Sequence, residues 1–404
     1  MRKIFLFLLP IFAVIYGDSS DLRVGFGGSM VGQKYSILEQ DTISITTEPK
    51  ILADGSYSFD LKSHKFSSEF SSDIGGESFW GNIRLKWKYK IGEFRTEMSE
   101  IIEGRAPYSK DNDIVGYFKH RFSLELGQKI DLKKLSARVW VEGKNYSQIG
   151  EFYYDYDLLR SRLSYEFPLL EGDGNISWNY SFRSVPDSAD ANYDRRQLEL
   201  SYAKLWKAGH FSDLLIGYDR KHFPSEDESG SYSSLYFWSN QSILLGGIFI
   251  EPKIDFEKRV YDTEDDIFFD YTYLELEPMV QRDFDSWRLG VGPIYSSQWA
   301  KSQYAGESFN EFGIGISANH LNYGVFWLFA DIDFGKRFFS DVADTEEFLS
   351  DYVFVDVSGM VSVWFAKKIR ADLSVSYSPE WHARKGDNIQ TSYISLEVRY
   401  EFGK

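Results

Sequence analysis

Cysteine is absent from the 404 residues, which removes disulfides, thiolate metal sites, a cysteine nucleophile and a lipid-acceptor thiol. Basic residues are in deficit: 45 Lys plus Arg stand against 61 Asp plus Glu, for a net charge of −16. No basic block of nucleic-acid-binding size occurs, so nucleic acid is not expected as a partner. Beyond the first residues, no apolar run reaches the roughly 20 positions that a membrane-crossing helix needs. The six histidines fall in no HExxH or other metal-ligating spacing, and there is no G-x-S-x-G elbow. The glycines of "GFGGSMVG" (Gly25 to Gly32) lack the Lys-Ser/Thr ending and the βαβ context of a phosphate loop. No cofactor and no metal are expected. Linkers rich in Pro, Ser and Gly are missing too, as is any visible repeat of solenoid or propeller length, which points to one domain.

What the chain does have is aromatic residues, 18% of the total, beside 26% charged residues and a mean hydropathy of −0.36. That pairing suits strands with one oily and one wet face. The C-terminus shows it directly: in "SYISLEVRYEFGK", Ile394, Leu396, Val398, Tyr400 and Phe402 alternate with Ser395, Glu397, Arg399 and Glu401. At the other end, Arg2, Lys3 and the apolar stretch Ile4 to Tyr16 read as a secretory signal over residues 1–17, with cleavage between 17 and 20. An exported chain without spanning helices can cross a bilayer only with closed strands.

Short and long connections take turns along the sequence. Short ones are expected near Ile91 to Glu93, Gln128 to Lys133, Glu171 to Asn175, Lys207 to His210, Leu244 to Gly247, Arg282 to Ser286, Asn319 to Asn322 and Ala366 to Lys368. Longer polar ones are expected near Ser67 to Glu77, Gly104 to Asp113, Asn145 to Asp155, Val185 to Tyr193, Pro224 to Gly230, Tyr261 to Asp266, Ala300 to Asn310, Ser340 to Ser350 and Trp381 to Thr391. This rhythm is that of an up-and-down antiparallel barrel in an outer membrane, with turns on the periplasmic side. The expected fold is all-β: one transmembrane barrel over residues 56–404, of about 18 strands with 16 to 20 allowed. Residues 21–52 are either a first hairpin, which would bring the count to about 20, or a segment in the lumen or periplasm.

Strand parity then sorts side chains between lipid and lumen. Arg84, Lys86, Lys88 and Lys90 form a basic ladder behind Ile83, Leu85, Trp87 and Tyr89, and crowding four like charges on one face calls for water, anions or facing carboxylates. Arg95, Arg138, Arg160, Arg162, Arg183, Asp331, Asp333, Arg370, Asp372, Glu397 and Arg399 complete the candidate lumen lining. Such a wall either selects solutes by charge or is held together by salt bridges. Tyr377, Trp381, Tyr393, Tyr400 and Trp287 fall near strand ends, where interfacial girdles gather. His120 and Lys204 interrupt apolar series, so the register slips or a bulge intervenes there. Two Ser/His pairs, Ser225 with His222 and Ser378 with His382, are the only spacings that hint at a rim hydrolase.

With this ending, rhythm and leader, the chain resembles bacterial outer-membrane β-barrel proteins, and among them porin-like ones of intermediate size. The resemblance implies that Ile394, Leu396, Val398, Tyr400 and Phe402 form the signal read by the barrel-assembly machinery during insertion, although Gly403 and Lys404 follow the final aromatic. It further implies a multi-pass outer-membrane location, with membrane lipid and lipopolysaccharide as surroundings and small solutes as cargo. The plug domain and very long loops of TonB-dependent receptors are not expected. The leading expectation is passive diffusion of small polar or charged solutes. A non-conducting barrel in an export or envelope-assembly system or a surface scaffold, and a lipid-modifying barrel enzyme, are the alternatives.

Overall fold

The computed structural model describes residues 20–37, 40–75, 78–108, 115–148, 153–206, 209–224, 230–265, 267–322, 325–340, 350–366, 369–384 and 387–402. The signal segment 1–17 and Gly403-Lys404 lie outside these residues. Twenty strands follow one another: β1 (Ser20–Ile37), β2 (Gln40–Leu61), β3 (His64–Ile74), β4 (Ser78–Ile91), β5 (Phe94–Pro107), β6 (Tyr117–Ile130), β7 (Lys133–Tyr146), β8 (Tyr156–Leu169), β9 (Gly172–Ser184) and β10 (Tyr193–Leu205). The second half comprises β11 (Phe211–His222), β12 (Tyr232–Leu245), β13 (Ile248–Tyr261), β14 (Tyr271–Phe284), β15 (Trp287–Ala300), β16 (Phe309–Asn322), β17 (Phe326–Phe339), β18 (Tyr352–Ala366), β19 (Ile369–His382) and β20 (Ile389–Phe402). Each strand pairs antiparallel with the next, and β1 pairs with β20 from Val24 opposite Phe402 to Ser36 opposite Gln390, which closes the ring.

The count exceeds eighteen because the N-terminal hairpin is part of the wall: β1 and β2 pair along their whole length, and β2 goes on to pair with β3. Several expected boundaries move, three of them by most of a connection or more. Ser67 to Ile74 is strand rather than loop, the Asn319 to Asn322 turn is the end of β16, and Gly104 to Pro107 belongs to β5. The tight turns that follow even-numbered strands need backbone in the left-handed region. Leu170-Glu171 (φ 48° and 63°) and Gly246-Gly247 (φ 59° and 85°) have both central residues there, the geometry whose twist matches the flanking strands. Longer connections sit at the opposite end, the longest spanning 340–351.

Exposure tells which face looks outward. On the apolar phase, Leu163 is 48%, Ile316 43% and Val398 42% exposed, whereas on the polar phase Glu97 is 7% and Ser177 0% exposed. Side chains converge on the concave side of a closed sheet, so the polar phase is the lumen wall and the apolar phase the lipid-facing band. A ring of this size encloses more space than side chains fill.

Neither His120 nor Lys204 marks a register slip. Pairing runs unbroken through both, and the irregularity lies instead between Trp364 and Ala366. Lys204, near the turn end of β10, bends out of the band: its Nζ donates to the Leu170 carbonyl at 2.7 Å and sits 3.6 Å from the Trp206 ring, as a snorkelling lysine does. Tyr393 stands opposite Ser376 on the lumen phase and is no girdle residue, while Trp381, Trp287 and Tyr377 are on the outer phase.

Candidate functional site: the lumen wall

Register places Arg84, Lys86, Lys88, Lys90, Arg95, Arg138, Arg160, Arg162, Arg183, Asp331, Asp333, Arg370, Asp372 and Glu397 on one face, together with the backbone position of Arg399, whose side chain is outside the described set. They do not form one cluster. The ladder on β4 is gathered by a single carboxylate: Glu97 on β5 accepts from Lys86 at 2.7 Å and from Arg95 at 2.7 Å, with Lys88 at 3.7 Å. Glu97 stands directly opposite Lys88, so it can face Lys86 on one side and Arg95 on the other. Arg84 faces Glu69 at 3.4 Å, and Lys90 stands opposite Arg95. Farther round, Arg138 pairs with Glu125, and Glu142 takes Arg121 and the Tyr156 hydroxyl at 2.8 Å.

Arg160 and Arg162 on β8 have no carboxylate partner among the described residues. Arg183, across from Leu158, lies 4.7 Å from the Tyr156 ring and leaves its buried Nε without an acceptor. The wall from β13 round to β18 is acidic. Asp331 and Asp333 project from β17, Asp356 stands opposite Asp333, and Asp255 stands opposite Glu275. Lys253 offsets Glu277 at 3.1 Å, and Arg370 binds Asp372 at 2.8 Å. Strand order sets β8 and β18 ten strands apart in the ring of twenty, so unpaired guanidinium groups face a carboxylate sector across the lumen.

One constellation was not foreseen. Every even strand from β6 to β18 opens with an aromatic residue on the lumen phase: Tyr117, Tyr156, Tyr193, Tyr232, Tyr271, Phe309 and Tyr352. Cations from odd strands lie against these rings. Lys144 is 4.2 Å from Tyr117 and 4.5 Å from Tyr146, Lys221 is 4.6 Å from Tyr193, Arg259 is 4.4 Å from Tyr232, and Arg337 is 4.1 Å from Phe309. Hydroxyls point the other way, Tyr117 to Glu103 at 2.5 Å, Tyr232 to Asp219 at 3.0 Å and Tyr271 to Glu257 at 3.0 Å. Rings, cations and carboxylates thus satisfy one another in a collar at the long-loop mouth. The signal was present in the sequence as an aromatic recurring roughly every 40 residues, the length of one hairpin with its loop.

The mouth is also tied from outside the strands. Asp262, in the loop after β13, is clamped by the Arg220 guanidinium, which holds its carboxyl below the usual aspartate range. Lys301 bridges Asp270 at 2.7 Å and Glu264, which raises its ammonium above the usual lysine range. Ser378 and His382 do not form the candidate pair. Ser378 donates to Asp356, Ser225 lies outside the described residues, and His382 contacts Ser350 (Nδ1 to Oγ 3.1 Å) and Glu380 (Nε2 to Oε2 3.2 Å). Because Nδ1 is also 3.2 Å from the Ser350 carbonyl, this group fastens Ser350 to the end of β19.

No family model matches the sequence, and no curated protein matches it. Solved structures do. The siderophore receptor PirA from Pseudomonas aeruginosa is 9% identical over 94% of this chain and 80% of that chain, with a TM-score of 0.54. PirA from Acinetobacter baumannii is 9% identical over 95% and 80%, with a TM-score of 0.53. OpdQ from Pseudomonas aeruginosa is 10% identical over 96% and 99%, with a TM-score of 0.50. At such identities the likeness concerns fold: this chain has the fold of the bacterial outer-membrane β-barrels.

Proposed function

We propose that the protein is a porin-like channel of the outer membrane, through which small polar and charged solutes diffuse and in which dipolar solutes are oriented. The observation that carries the reading is the polarised lumen: Arg160, Arg162 and Arg183 on one wall against Asp331, Asp333 and Asp356 on the other. Opposed charges across a watery passage attract counter-charged parts of a solute to opposite sides, and such charged walls select in pores. Connections of modest length add support, because no described strand connection is long enough to fill a ring of twenty strands. No catalysis is assigned. Ile394, Leu396 and Val398 on the outer phase, continued by Tyr400 and Phe402, would serve insertion by the assembly machinery, and lipid and lipopolysaccharide would surround the band.

Conductance across planar bilayers tests this directly. Refolded protein is expected to give steady current, and R160Q/R162Q is expected to move the reversal potential in a salt gradient toward cation preference. Folded barrels that carry no steady current would leave the non-conducting scaffold reading in place.

A further inference from the structure

The lipid-facing band is apolar on most strands, but on β5 it is broken at mid-strand by Glu100. Its cross-strand neighbours Leu85 and Phe122 are 47% and 40% exposed on the outer phase. Glu100 makes no hydrogen bond or ion pair among the described residues. It borders a groove of about 380 Å³ whose walls include Phe59, Phe66, Trp87 and Met98. Two rows toward the loops, Ser72, Gly81 and Gly104 stand side by side on the same face. A carboxylate at this depth is costly and calls for a donor, and a row of small side chains lets two surfaces approach closely.

We infer that the outer face of β3 to β7 is the interface with a second copy of this chain. Acyl chains offer no hydrogen-bond donor, and the charged groups of lipopolysaccharide sit at the edge of the band rather than beside a mid-strand residue. A second copy supplies what is missing. Barrels inserted in the same direction present the same residues at matching depth, and His120 on β6 is the diagonal neighbour of Glu100, opposite Ile102. A rotation axis along the membrane normal therefore brings the acid of one copy toward the base of the next, with a complementary patch on each. Within its own barrel the His120 ring lies over Gly143 of β7, where an added Cβ would be 2.6 Å from its Nε2, on the side of β6 away from β5 and Glu100. The inference rests on the membrane placement of the barrel but not on conduction.

The absence of cysteine makes single-cysteine variants clean probes. In native membranes, Met98→Cys is expected to cross-link to a double-sized species with a short bismaleimide, whereas Ile332→Cys on the β17 outer face is not. The wild type in mild detergent is expected to sediment with the mass of more than one chain. Adding Glu100→Leu should abolish both signals while the heat-modifiable folded band and the conductance per barrel persist. Cross-linking equal at the two sites, cross-linking indifferent to Glu100, or a wild type that sediments as a single chain with retained lipid would overturn the interface. Loss of conductance with cross-linking intact would count against the channel and leave the interface standing.

Discussion

Replacing Glu97 with Gln keeps the shape of a nearly buried side chain and removes the charge that Lys86, Lys88 and Arg95 share. In a dry interior, breaking such a cluster costs 3–5 kcal/mol, but these cations are 31%, 39% and 47% exposed and water in the lumen screens them. The expected loss is therefore about 2 kcal/mol. Urea unfolding of refolded protein in detergent micelles, followed by tryptophan fluorescence and by the folded band on gels, measures it. Selectivity should move as well, because four cations of the ladder and Arg95 then face the lumen with Glu69 as the remaining carboxylate in contact. The reversal potential of Glu97→Gln should thus shift toward anions while its unfolding midpoint falls. A variant as stable as the wild type with unchanged selectivity would refute the assignment of Glu97 as the hub. So would a shift toward cations.

Two other expectations follow from register and from the loops. Val357→Arg puts a cation into the lipid band at the middle of β18 and should destabilise the barrel in vesicles by about 2–4 kcal/mol. Its neighbour Ser358→Arg, on the lumen phase, should fold with near wild-type stability. Equal effects would mean that the faces are misassigned. For the Arg220 to Asp262 clamp, the folded carboxyl is depressed, so its contribution is complete above the ordinary aspartate value of about 4 and is lost as pH falls through the lower folded value. Limited proteolysis of the 262–270 loop should show protection from about pH 7 down to about pH 5 and cleavage only in stronger acid. Arg220→Gln should remove the protection at neutral pH.

How much of this could be read beforehand varied by element. β18 to β20 announced themselves because valine, leucine and isoleucine occupy one phase and Ser, Asp and Arg the other. β1 was harder: Gly25, Gly27, Gly28 and Gly32 fall on both phases, so neither face declares itself and only pairing with β2 and β20 makes it a strand. β3 was hidden by serines on both faces, Ser67 and Ser71 toward the lumen and Ser68 and Ser72 toward lipid. Parity sufficed to collect the charged side chains on one face, since that needs only the strand's own sequence. Which charges meet did not follow, because the capture of three cations by Glu97, or the reach of Tyr236 across Gly217 to Glu199 (2.9 Å), depends on how neighbouring strands are offset.

Closure between β1 and β20 gives the chain a property of its own. Its first and last strands lie beside each other at the short-turn rim, with Val24 across from Phe402, so the wall is continuous and its starting point is arbitrary. A gene rearranged to begin at one of the longer loops, with the old termini joined by a short linker, would encode the same cylinder. During synthesis, however, the first strand waits for the last, and the seam cannot seal until the whole polypeptide is present. Contacts of such long sequence separation are the slowest to form. The unsealed edge of β1 is meanwhile open to pairing with any strand it meets.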